Sequence, residues 1–208
     1  QQLVNKFGKP DSNTYKYFYP AAQFLQYGQS LRVVRATTGN LNATASGTGI
    51  LAKNDDHYAT VTPGATDTWV ARFPGTLGNS LAVSVCPADA TAFAGWAYAG
   101  SFDSVPGTSS YSTANGGDTA DELHIAVIDE DGAWTGTAGT VLETFAFVSQ
   151  ASDAKADDGT DNYYANVVNN QSEYVRWGAH YSSLTDAGST VTGAAGSAFV
   201  TGSTAFGA

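Results

Sequence analysis

The chain has 208 residues, a formal net charge of −10, only 13% charged residues, 12% aromatics and 23 glycines. That length suffices for one large domain or two small ones with a real core. The composition favours short strands joined by turns over long helices. The acidity argues against nucleic acid as a partner, since phosphate contacts need clustered Lys and Arg, and no apolar run is long enough to span a bilayer.

Charge is unevenly spread. Residues 1–36 hold Lys6, Lys9, Lys16, Arg32 and Arg35 against Asp11, whereas the remainder holds four bases and eighteen acids. A basic opening and an acidic body read as parts of different structural units. Cys86 is the one cysteine, so no internal disulfide forms, and its setting marks it as a small buried or half-buried hydrophobe. Methionine is absent even at position 1, and the expectation is a piece of a longer protein.

Along the chain, Asp11 and Ser12 are cap candidates for a helix in which Tyr15, Phe18, Tyr19, Ala22 and Leu25 recur at helical spacing. Pro20 interrupts it and is a candidate first-turn residue, and Gly28 ends it. SLRVVRA then reads as a short strand with Leu31, Val33 and Val34 as its apolar content. Residues 37–68 are polar and turn-rich.

From Trp69 the pattern becomes β: WVARF, SLAVSVC, FAGWAYAG, ELHIAVID, TVLETFAFVS and EYVRWGAHY. In the second, Leu81, Val83 and Val85 alternate with Ser80, Ala82, Ser84 and Cys86, the signature of a half-buried strand. FPGTLGNS before it is a structural corner: it has no lysine, and a strand rather than a helix follows, so it is not a phosphate loop. Leu123, Ile125 and Val127 alternate with His124 and Ala126, which places His124 on a surface face, and Phe145 and Phe147 alternate likewise. DEDGAWTGTAG is a hairpin-like connection. In TDNYYANVVNNQS, Tyr163 with Val167 and Tyr164 with Val168 predict a short amphipathic helix that Asp161 would cap.

Candidate chemistry is thin. DAKADDGTDN gathers Asp153, Asp157, Asp158 and Asp161 beside Gly159, but a calcium loop of the EF type wants oxygen ligands at alternate positions, glycine sixth and glutamate twelfth. Here Lys155 stands third, the glycine is one place late and Tyr164 stands twelfth. Asp129, Glu130 and Asp131 before Gly132 read as turn chemistry. His57, His124 and His180 lack zinc-site spacing, and Cys86 has no His partner nearby in sequence. Chance pairs of carboxylates give little support to a glycosidase. Of Trp69, Trp96, Trp134 and Trp177, only Trp134 sits in an evident turn, where it could stack on a sugar. No residue is assigned a catalytic, cofactor-binding or metal-binding role, and no cofactor is implied.

FLQYGQSLRVVRA (Phe24 to Ala36), VARFPGTLGNSL (Val70 to Leu81), HIAVIDEDGAWTGTAGTVLETFAFVS (His124 to Ser149) and DAKADDGTDNYYANVVNNQSEYVRW (Asp153 to Trp177) resemble, in the same order, segments of the tail sheath proteins of contractile-tailed, T-even-like phages. Together the blocks cover a little over a third of the chain. The resemblance implies a non-enzymatic virion subunit that polymerises as stacked rings around the tail tube. On a baseplate signal the sheath would contract and drive the tube through the host envelope. It also implies an inner scaffold domain, whose terminal strands are donated between subunits, and outer β-rich domains inserted into it.

On that basis the expected fold is α+β, mainly β. Residues 1–36 would be a helix–strand piece of the inner scaffold, 37–68 a turn-rich connector where relatives carry a further domain, and 69–208 a β-sandwich-like protruding domain. The C-terminal scaffold region and the extreme N-terminal strand of the family pattern have no counterpart, so contacts to tube and baseplate would lie in regions missing here. The expected partners are neighbouring subunits, with no nucleic acid or membrane, and the isolated chain is expected to be monomeric. A carbohydrate-binding or adhesin-like β-domain is the alternative, and a glycoside hydrolase comes third.

Overall fold

The computed structural model describes residues 2–34, 39–45, 47–116, 119–180 and 189–192. The chain is mixed α+β, with its strands in two antiparallel sheets and six short helices among the described residues.

The larger sheet forms where the sequence alternates most strongly. β2 (Leu81–Pro87) pairs antiparallel with β3 (Glu122–Asp129), which pairs with β4 (Thr140–Ser149), and β6 (Ser189–Thr192) closes the other edge of β2. The register sets Val83 opposite Val127 and Val85 opposite Ile125. The smaller sheet is a ribbon of β1 (Trp69–Ala71) and β5 (Val175–Trp177), with Val70 opposite Arg176. Residues 42–45 run along the free side of β1: Ala45 donates to the Trp69 carbonyl and Ala71 to the Ala43 carbonyl. Buried Asn42 secures this contact by donating to the Ala71 carbonyl at 2.9 Å and accepting from the Ala52 N–H at 2.8 Å.

One core lies between the two sheets. Leu81, Val83, Val85, Leu123, Ile125 and Val127 meet Trp69, Ala71 and Val175 of the ribbon, together with Tyr164, Ala165, Val167 and Val168 of helix α6 (Tyr164–Gln171). Each such aliphatic side chain contributes about 1.5–3 kcal/mol of burial. The second layer is thus a ribbon plus a helix rather than a full second sheet. The predicted pair Tyr164–Val168 lies within the helix, and Val167 bonds back to Tyr163. The N-cap is Tyr163 with no side-chain cap, so Asp161 does not cap the helix and instead accepts from the Tyr163 N–H just ahead of it at 3.1 Å.

Four further expectations need correction. First, β2 is buried on both faces: its Ala82 and Cys86, with Ala126 and Ile128 of β3, form a second core under Trp96, Phe93, Tyr98 and Phe102. Second, the residues that cover it are not a strand. Asp89 accepts from the Ala92 N–H at 2.7 Å and starts helix α4 (Ala90–Gly95), and a 3-10 turn over Ala99–Ser101 follows. The Trp96 indole N–H donates to the buried Ser84 hydroxyl at 2.8 Å, which is how a serine comes to lie inside the sheet.

Third, the N-terminal helix does not start at Pro20. After α1 (Gln2–Phe7), α2 runs over Tyr15–Tyr27 with Pro20 inside, and Asp11 turns the chain into it by accepting from the Asn13 and Thr14 N–H groups. Gly28 closes α2 by donating to the Phe24 carbonyl at 2.8 Å. Fourth, residues 29–34 form no strand; Val33 and Val34 are exposed, and Arg35 and Ala36 lie outside the described residues. No residue of α2 is buried, and Tyr17 and Tyr27 stand almost wholly in solvent.

The corner before β2 is built as expected. Gly75 takes φ +125° and Thr76–Ser80 forms a 3-10 turn. Gly78 sits so close to the ribbon that a Cβ there would crowd that of Ala71 at 2.8 Å. Between β2 and β3, helix α5 (Ser110–Asn115) is capped by Ser109, whose hydroxyl donates to buried Asp121 at 2.8 Å.

Candidate functional site

The side chains singled out in the sequence are held by neighbours within the fold. In the acidic loop, Asp158 accepts from the Thr160 N–H and hydroxyl, Asp157 from the Ser110 hydroxyl and Asp153 from the Tyr111 hydroxyl. Asp161 accepts from Asn166 and faces Lys155 at 3.9 Å. The Asp158 bonds are of the turn-stabilising Asx type, and those to Ser110 and Tyr111 tie the loop to helix α5. No group of three or more His, Cys, Asp or Glu side chains poised for a metal occurs among the described residues.

Asp129 ends β3 and organises the following turn. It accepts from the Ser80 hydroxyl at 2.7 Å, from the Trp134 and Thr135 N–H groups at 3.0 and 2.7 Å, and from the Thr135 hydroxyl at 2.9 Å. Burial pushes its carboxyl up, but these hydrogen bonds outweigh burial and hold it below the usual range. They also draw Trp134 inward. Its indole donates to the Leu77 carbonyl at 3.1 Å and meets Tyr174 edge-on at 5.1 Å, so the sugar-stacking role is corrected to core packing.

His124 is fully buried, contrary to its expected surface position. In the β3–β4 register Leu123 faces Val148 and Ile125 faces Phe145, so Ala146 and Phe147 together oppose His124 as a β-bulge. The bulge turns Phe147, at φ +53°, onto the His124 side and breaks its expected alternation with Phe145. Phe102 stacks on the imidazole at 4.3 Å. Cys86 is buried beside this cluster, and burial, aided by Asp89, raises its thiol to about 11, well away from a reactive thiolate. His57 accepts the Lys53 N–H, and His180 contacts the hydroxyls of Tyr164 and Tyr163.

The feature missed in the sequence is an arginine pair. Arg72 follows β1 and Arg176 lies in β5, so the ribbon pairing brings both toward one side of a cavity of about 530 Å³. Asn54 caps the short helix α3 (Asp55–Tyr58) by accepting from the His57 N–H, which sets Asp55 at the cavity mouth. One Asp55 oxygen takes both guanidiniums, Arg176 at 2.8 Å and Arg72 at 3.2 Å. Tyr58 lies 4.8 Å from the Arg176 guanidinium and donates its hydroxyl to the Trp177 carbonyl at 2.6 Å. Burial drives that phenol up to about 12, against the pull of Arg176. The available signal was composition: two of the four bases beyond residue 36 fall in WVARF and EYVRW, short apolar strands where a cation needs a reason.

No family model matches the chain. It is 34% identical to the tail sheath protein of Salmonella phage ViI over 141 residues, which is 67% of this chain and 20% of that protein. It is 48% identical to the tail sheath protein of Enterobacteria phage T4 over 63 residues, 30% of this chain and 9% of that protein. The chain carries a segment homologous to phage tail sheath proteins. It spans about a fifth of the Salmonella phage sheath protein and about a tenth of the T4 one. In this sheath homologue Asp121, Asp129 and His124 are buried and hydrogen-bonded within the fold, whereas Asp153, Asp157, Asp158 and His180 lie at the surface. Among its described residues, no helix is long and apolar enough to cross a membrane.

Proposed function

We propose that the chain is part of a structural subunit of a contractile phage tail sheath, which polymerises around the tail tube and contracts to drive the tube through the host envelope. The observation that carries this is the 34% identity to a tail sheath protein over 67% of the chain. In this reading the subunit is non-enzymatic and resides in the virion tail, its partners are neighbouring copies, and regions outside this chain engage tube and baseplate. Residues 1–36 belong to the inner scaffold, 37–68 connect, and 69–208 protrude. Helix α2, which has no buried residue and exposes Tyr15, Tyr17, Tyr19, Phe24 and Tyr27, supports the first assignment, since an aromatic helix of this kind needs a surface to cover it.

Electron microscopy of virions labelled with antibody fragments against this chain tests the proposal. The expected result is regular decoration along the outer tail, with the label bunching closer after contraction. Label confined to fibres or the tail tip, or no label, overturns it.

A further inference from the structure

The cavity between α3, α6 and the β1–β5 ribbon holds two arginines that share a single ion-pair partner. Arg176 has a side chain 5% exposed and Arg72 one 16% exposed, yet both share a single oxygen of Asp55, itself 77% exposed. Arg72 also donates to the Asn169 carbonyl at 2.8 Å, a neutral partner. The Nε atoms of both arginines are buried without a partner among the described residues. Asp55 is the one carboxylate bonded to either guanidinium among the described residues, with Glu143 acting on Arg72 only through space, and a desolvated cation so thinly partnered favours a second bonded anion. Arginine forks match carboxylates best, two bonds at a time, and here neither fork is filled that way.

We propose that this pocket receives a carboxylate side chain from the acidic surface of a second copy of the chain, forming one of the contacts between neighbouring subunits. The inference rests on the sheath reading. Charge complementarity selects this occupant. Beyond residue 36 the chain has eighteen acids and four bases, and two of those bases converge here. Copies packed side by side would therefore repel unless acids of one meet cations of the next. Lys155, by contrast, already faces Asp161 of its own loop. The acids Glu130 and Asp131 are exposed at the β3–β4 turn. The cavity is large enough to admit such a side chain beside Asp55.

The test uses the complete gene product and the exposed rim residue Asn170, leaving the buried arginines intact. Asn170→Asp adds a competing carboxylate at the mouth, and Asn170→Lys adds a cation. Assembly is followed by light scattering and electron microscopy at low and high salt. Asn170→Asp is expected to raise the protein concentration needed for assembly by about tenfold at low salt, while Asn170→Lys leaves it unchanged or lowers it. A photo-cross-linker at position 170, in polymers mixed from two isotopically distinct copies, is expected to join the rim to an Asp- or Glu-bearing segment of the other copy. Polymers that form equally well with either variant, or that cross-link only within one copy, overturn the pocket proposal and leave the sheath reading standing. Failure of the unmodified protein to polymerise overturns both.

Discussion

The Phe147 backbone N–H donates to Nδ1 of the buried His124 at 3.1 Å, so an imidazole replaces the carbonyl that the β-bulge takes out of the ladder. Nε2 lies 2.8 Å from the Ser104 carbonyl, and these two contacts fix a neutral ring with its proton on Nε2. Protonation would place an N–H against an N–H. Burial accordingly lowers the His124 pKa below 6.5, with the Ser104 hydrogen bond opposing. The unfolded chain therefore takes up the proton first as pH falls. The stability due to this residue is complete above about 6.5 and is lost as pH drops through the lowered folded value. An NMR titration of His124 is expected to give a midpoint below 6.5, and a midpoint at or above 6.5 would contradict the buried neutral ring.

Asp129→Asn should destabilise the protein although it is nearly isosteric. Four donors converge on the two carboxylate oxygens, and an amide offers only one acceptor oxygen, with its NH₂ facing donors in either orientation. The expected cost is about 2–3 kcal/mol, read as a lower urea midpoint with the m-value unchanged. Because the folded carboxyl is held below its ordinary 3.8, its stabilisation is present above that pH and fades as acid titrates it. The gap between wild type and variant should therefore narrow below about pH 4.

Trp134→Ala is expected to act on stability, at a cost of about 3–5 kcal/mol, because it removes a buried indole and the partner of the Leu77 carbonyl. A glycan array probed with the folded wild-type chain should show no glycan whose binding depends on Trp134. A glycan lost on substitution in a variant that still unfolds cooperatively would restore the stacking role set aside by its burial.

What the sequence made legible was whatever follows from local periodicity. ELHIAVID and TVLETFAFVS became β3 and β4 at the expected bounds, and Tyr164, Val167 and Val168 became the buried face of α6. What it hid depends on partners distant in the chain. Ser84 and His124 look like surface residues because alternation reports polarity, whereas Trp96 and the β-bulge supply hydrogen bonds that let polar groups sit inside. FAGWAYAG is apolar enough for a strand, but Asp89 ahead of it nucleates a helix, a cap signal that outweighed its pattern. Arg72 and Arg176 are 104 positions apart, so only the ribbon pairing reveals that they share Asp55.

Gly178 closes the ribbon against residues 63–68, and its role is close approach. Its N–H donates to the Thr68 carbonyl at 2.8 Å, and a Cβ built on it would overlap the Asp67 carbonyl oxygen. That obstruction is backbone held by its own bonds, including the Asp67 N–H to the Gly64 carbonyl, so it cannot swing aside as a side chain would. Gly178→Ala is expected to cost about 1–3 kcal/mol through forced separation of the two segments. Gly100→Ala, where no atom lies within 4 Å of the added carbon, should stay within about 0.5 kcal/mol of wild type. Chemical unfolding of both variants separates close approach from a general cost of replacing glycine. Equal losses at the two sites would refute the packing argument. The separation would also shift Trp177, which sits between Gly178 and Arg176 and accepts from Tyr58, so a loosened ribbon should expose the arginine pair to solvent as well.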